Sequence, residues 1–198
     1  ERKSARRMAL ALSMNLTNNN SKTCDALARS DVVVPVLETI SRGFEHISET
    51  EQDDDLILCL GTMINMAEMS ETARLCVLSD GSAALQKLVT IFCDRLDHTS
   101  HATSLESSRH NVPFGYLALL LVNLCQTDSL RTEVLRLLPG SAQLTGLVHA
   151  AEEFIAIHQQ TDMAILADGD NDNGAASAHA DYTKRLMGMV NRLKNGAK

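Results

Sequence analysis

One short pattern recurs three times along this 198-residue chain, and it constrains the fold more than any single residue does. It reads Leu12-Ser13-Met14-Asn15-Leu16-Thr17, then Thr62-Met63-Ile64-Asn65-Met66-Ala67, then Leu120-Leu121-Val122-Asn123-Leu124-Cys125. Each copy closes an apolar run of helical period on an Asn followed by an aliphatic residue, and the asparagines lie 50 and 58 residues apart. The segments after the three copies are also alike: a polar turn, a short amphipathic helix, a small-residue break and a longer apolar helix. The first copy gives Cys24 to Arg29, Asp31, and Val32 to Ile47. The second gives Glu71 to Leu78, Asp80-Gly81-Ser82, and Ala83 to Leu96; the third gives Ser129 to Leu138, Pro139-Gly140-Ser141, and Ala142 to His158. Repeats of roughly 40–50 residues built from two or three helices predict an α-solenoid.

The breaks carry helix punctuation. Asp31, Ser82 and Ser141 are placed to act as N-caps of the third helix of each unit, and Gly81 and Gly140 to close the preceding helix at positive φ. Inside the long helices the apolar spacing is helical, as in Leu85, Leu88, Val89 and Phe92, or Leu144, Leu147, Val148 and Ala151. The run from Tyr116 to Leu124 is apolar all round apart from Asn123, so that helix should be sandwiched between neighbours. The expectation is one all-α domain over residues 1–198: an α-solenoid of three repeats at about 5–48, 53–97 and 111–158. A polar insertion at 99–109 and a disordered acidic loop at about 168–177 interrupt it, and a basic, amphipathic capping helix comes last, at about 180–194. Tyr182, Leu186, Met189, Val190 and Leu193 share one face of that helix.

Composition agrees. Aromatics are 3% of residues with no Trp, so the core must be Leu, Ala, Met and Val, which favour helices. The net charge of −7 argues against a general DNA-coating surface. Ten acids sit in two clusters, at 49–55 and 162–181, and without them the balance would be +3, so the body is near neutral. The five cysteines form no CxxC pair and several lie in apolar helical runs, the usage of a reducing compartment. The sequons at Asn15 and Asn19 carry little weight against that reading. The chain opens on Glu1 rather than Met and reads as a fragment. Its longest apolar stretch, Val112 to Cys125, is shorter than the ~18 residues of a membrane span.

The repeats resemble armadillo units, and the resemblance narrows on two stretches. Leu60 to Glu68, with Ala73 to Val77 and Leu88-Val89 after it, is similar to the wings apart-like (Wapl) C-terminal helical domain. So is Gly115 to Leu121, running through Leu124-Cys125-Gln126 to Leu138-Pro139-Gly140 and on to Phe154; Asn15 to Asn20 fits the same family. The likeness spans roughly residues 5–158. It implies a nuclear regulator that promotes release of cohesin from chromatin, with cohesin subunits and cohesin-associated proteins as partners. It implies binding rather than catalysis; no cofactor, no direct nucleic acid, no membrane and a monomeric fragment are expected beside it. No site residue carries over by motif.

Chemical readings of the remaining residues compete with simpler ones. Asp168 to Asp172 hints at a calcium loop, but the sixth position is Asn173 and the twelfth His179, where an EF-hand needs Gly and Glu. Cys93, His98, His101 and His110 lack the paired spacing of a zinc site. No nucleophile elbow, Walker loop or HExxH occurs, and Cys76, the one nucleophile worth weighing, falls on the apolar side of its helix. Asn15, Asn65 and Asn123 either line a peptide-binding groove, as in armadillo proteins, or satisfy local backbone groups; the local role is preferred. For partner binding, Val112 and Phe114 near Arg109 form an anchor-and-charge layout at the mouth of the apolar helix, with Pro113 in its first turn. The competing reading is a hydrophobic staple at that helix entry.

Overall fold

The computed structural model describes residues 2–46, 50–79, 81–99, 105–167 and 173–196. Ten helices and no strand run through the described residues. They fall into three long–short–long triplets and a last helix. The first triplet is α1 (Arg2–Thr17), α2 (Ser21–Leu27) and α3 (Ser30–Glu45); the second is α4 (Thr50–Met69), α5 (Glu71–Cys76) and α6 (Ala83–Thr99). The third is α7 (Leu105–Leu124), α8 (Asp128–Leu137) and α9 (Ser141–Ala167), and α10 (Asn173–Gly196) ends the array. The chain is all-α, as its Leu- and Ala-rich composition requires.

The first helices of successive triplets lie side by side, α1 on α4 and α4 on α7. α1 and α4 run parallel, because Arg7 pairs with Asp54, Met14 lies over Gly61, and Asn65 reaches Thr17. The third helices form a second row, with α3 against α4 and α6, and α9 against α7. α7 is enclosed by α4, α6, α8, α9 and α10, and every residue from 117 to 124 is buried. This is the all-round burial that its apolar sequence predicts. Leu85, Leu88, Val89 and Phe92 of α6 are likewise core residues.

Several local expectations are corrected. Asp31 is not an N-cap: the cap of α3 is Arg29, and Asp31 sits in the first turn, where its carboxylate pairs with Arg29 and meets the positive end of the helix. Ser82 directly precedes α6 at φ 71°, and its hydroxyl bonds the Glu133 carboxylate. Ser141 is already the first residue of α9. Side-chain caps are seen at α2 and α5. Asn20 accepts the Thr23 N–H at 3.1 Å and Ser70 the Ala73 N–H at 3.2 Å. Gly81 does take positive φ, at 73°, but Gly140 does not. Pro139 makes a left-handed residue unnecessary there: it forces Leu138 into extended backbone, with ψ at 125°, and α8 stops.

The two interruptions are shorter than expected. α6 continues to Thr99 and α7 begins at Leu105, so part of the polar 99–109 segment is helical and Pro113 lies inside α7 rather than in its first turn. α10 begins at Asn173, so residues 173–177 are helix and the cap extends beyond 180–194 at both ends. Residues 168–172 lie outside the described residues. The Ala-rich stretch after Gly174 explains the earlier start, since Ala is the best helix former and needs no tertiary partner to be compatible with a helix. α10 packs on α9 and α7 through Leu186, Met189, Val190 and Leu193, while Tyr182 lies outside the described side chains.

Candidate interaction surface

The three asparagines occupy equivalent places at the ends of α1, α4 and α7, yet their surroundings differ. Asn123 is fully buried; its amide donates to the Leu119 carbonyl at 2.9 Å and accepts from Gln126 at 3.1 Å. Asn65 is half-buried and crosses to α1, donating to the Met14 carbonyl at 3.1 Å and the Thr17 hydroxyl at 3.2 Å. Asn15 is exposed. Two of the three amides are thus spent on backbone or neighbouring side chains and present nothing to a groove.

A second equivalence lies one turn into each short helix. Cys24 and Arg74 hold the same register, and both reach the last turn of the helix before them. The Cys24 thiol donates to the Thr17 carbonyl at 3.3 Å, and Arg74 donates to the Ala67 carbonyl at 2.6 Å. Each also reaches the next triplet, Cys24 at the Asn65 carbonyl and Arg74 at the Thr127 hydroxyl, 2.7 Å away. Thr127 precedes α8 without capping it through its side chain. Sequence reasoning missed this link, whose signal was only a shared distance after the Asn-aliphatic pair.

Of the predicted partner-contact residues, Phe114 and Val112 differ in exposure. Phe114 is buried, its ring stacked on Phe92 of α6 with centroids 5.1 Å apart and planes at 6°. It joins α6 to α7 and is unavailable to a partner. Val112 is 44% exposed, two residues earlier. The Arg109 side chain lies outside the described residues.

A different feature stands out where α1, α3 and α4 meet. A cleft of about 520 Å³ is lined by Lys3, Arg6 and Arg7 from α1, Arg42 and Thr39 from α3, and His46 just beyond it, with Asp55 of α4 opposite. Arg6 pairs with the half-buried Asp55 at 3.3 Å, and Arg7 with Asp54 at the surface. Arg42 is exposed and donates only to the Glu38 carbonyl at 3.4 Å and the Thr39 hydroxyl at 3.5 Å. The basic run at residues 2–7 was visible in the sequence; its meeting with Arg42, 35 residues from Arg7, was not.

Burial pushes the Cys125 thiol up to about 12, and burial pushes those of Cys24 and Cys59 up to about 11, so these are neutral packing groups rather than nucleophiles. Cys76 is half-buried with its thiol 3.6 Å from the Ala28 carbonyl. No group of three His, Cys, Asp or Glu among the described residues is arranged to hold a metal ion. The side chains of His98, His101 and His110, and all of residues 168–172, lie outside the described residues. No helix among the described residues is long and apolar enough to cross a membrane.

Residues 1–73 match the family described as wings apart-like protein regulation of heterochromatin. The match covers α1 to α4 and the start of α5, including the Asn-aliphatic patterns at Asn15 and Asn65 and every cleft residue named above. No curated protein matches the chain.

Proposed function

We propose that this chain is a non-enzymatic protein-interaction domain of the wings apart-like kind, which supports release of cohesin from chromatin in the nucleus. The observation that carries the reading is the family match over residues 1–73. Beyond it, α7 to α9 repeat the long–short–long construction of α1 to α3 and of α4 to α6, and Asn123 stands near the end of α7 as Asn15 and Asn65 stand near the ends of α1 and α4. We read the whole as an α-solenoid of three armadillo- or HEAT-like repeats with α10 as its cap, each repeat stabilised by its neighbours.

The mechanism is differential binding. A rigid helical body holds cohesin subunits or their associated proteins in the conformation that opens, and shifts that population without bond chemistry. Neutral, buried thiols and the lack of a catalytic motif are consistent with a binding role. A general armadillo scaffold for extended peptides is less well supported, because Asn65 and Asn123 are engaged inside the protein. The test is association of the purified 198-residue chain with purified cohesin, and then release of cohesin preloaded on DNA. Binding with accelerated release is expected; a folded chain that fails to bind cohesin would sink the reading.

A further inference from the structure

We infer that the cleft between α1, α3 and α4 is a docking site for an acidic peptide segment of a protein partner, with Arg42, Arg6 and Arg7 as its readers. The inference stands on the cleft itself and goes beyond the cohesin reading. Among the described residues, Arg29, Arg131, Arg136 and Arg185 each pair with a carboxylate. Arg42 and Arg74 instead each bond one carbonyl and one hydroxyl, but the Arg74 bonds are 2.6 and 2.7 Å whereas those of Arg42 are near the outer limit of hydrogen-bond distance. Arg42 projects into a cavity that also receives Arg6 and Arg7. Those two each pair with one aspartate, Arg7 with an exposed Asp54 and Arg6 with a half-buried Asp55, and guanidinium donors remain for a second acceptor. The parallel run of α1 and α4 brings two helix N-termini, each with partial positive charge, to this end of the molecule.

A peptide suits the cleft better than a nucleic acid. Asp54 and Asp55 stand among the cations, and a continuous phosphate backbone would meet them as well as the arginines. Spaced carboxylates on a peptide can face the arginines alone, in the bidentate geometry that Arg favours. Leu56 and Gly43 at the floor offer contact to an aliphatic side chain between the acids.

The experiment uses the whole chain and a short fluorescein-labelled peptide of Asp, Glu and Leu, with a Lys-for-acid version as control. The acidic peptide is expected to bind with an affinity that falls as salt rises. Arg42→Glu should weaken it at least about tenfold, the loss of one charge-assisted pair, with an unchanged melting temperature because Arg42 is exposed. Arg136→Glu, with the same charge change on α8, should leave binding within about twofold, consistent with screening of distant exposed charges. No binding by the unaltered chain at low salt would overturn the proposal. So would equal losses in Arg42→Glu and Arg136→Glu, or duplex DNA binding more tightly than the peptide through Arg42. Failure of the cohesin experiment leaves these outcomes unaffected.

Discussion

α1 and α7 close on nearly the same sequence and live in opposite surroundings. Leu12 and Leu16 are 58% and 49% exposed, whereas Leu120 and Leu124, at the same places before and after the asparagine, are completely buried. With Met8, 66% exposed, the α1 leucines form a stripe at i, i+4 and i+8 on the side away from α4. α7 has helices on every side, whereas α1 has α4 along one side and α2 at its end. The far end of the array differs again, since α10 turns Lys184, Arg185, Asn191, Arg192 and Lys194 outward over a buried apolar face. An apolar repeat pattern therefore specifies a helix and its register, and the number of neighbours decides how much of that pattern is used.

Substitutions at matched positions test this contrast, and the largest effects should fall on α7. Leu120→Ala should cost about 2–5 kcal/mol in chemical denaturation, the usual loss for a buried leucine, while Leu12→Ala should stay within about 0.5 kcal/mol. Equal losses would mean that α1 is covered in solution. Gly115→Ala belongs with the large effects, because its new Cβ would fall 2.1 Å from the Phe154 ring where α7 crosses α9. A loss of about 3 kcal/mol is expected. Gly188→Ala, where a Cβ meets nothing, should instead gain about 0.5–1 kcal/mol from helix propensity.

Arg74→Ala should cost about 1–3 kcal/mol, because it leaves the Ala67 carbonyl and Thr127 without their partner. The asparagines should then form a graded series. Asn123→Ala is expected to lose about 1–2 kcal/mol, Asn65→Ala about 1 kcal/mol and Asn15→Ala nothing measurable. A flat series would show that the three environments are energetically alike. Alkaline pH gives the mildest test. Cys24, Cys59 and Cys125 are raised by burial from 9.0 to about 11, 11 and 12, so the folded state holds their protons longer. Their contribution is full below about pH 9 and declines as pH rises through 11 to 12, which a pH series of melting temperatures will track. Serine substitutions should flatten that decline.

Much of this molecule was legible before any tertiary information. The threefold Asn-aliphatic pattern located α1, α4 and α7, and the Leu/Ala-rich composition excluded a strand-based fold. The core side of α6 was readable from Leu85, Leu88, Val89 and Phe92 alone. These rest on local rules, since helical period and intrinsic propensity act within a few residues of chain. Polarity misled at the helix boundaries. Residues 105–109 and 173–177 looked like loop but belong to helices, because a polar surface does not prevent intrahelical hydrogen bonding.

The tertiary structure alone decided which groups meet. Phe114 looked like a surface anchor at a helix entry, and α6 covers it by placing Phe92 against its ring. Asn15, Asn65 and Asn123 share one local sequence, and only the count of flanking helices separates an exposed amide, a cross-link and a buried one. Arg42 joined Arg6 and Arg7 because the C-terminal part of α3 lines one cleft with the N-terminal parts of α1 and α4, a juxtaposition that no spacing along the chain encodes. Hydrogen bonds and packing between distant segments depend on where whole helices come to rest, and that is settled by the burial of their shared apolar faces.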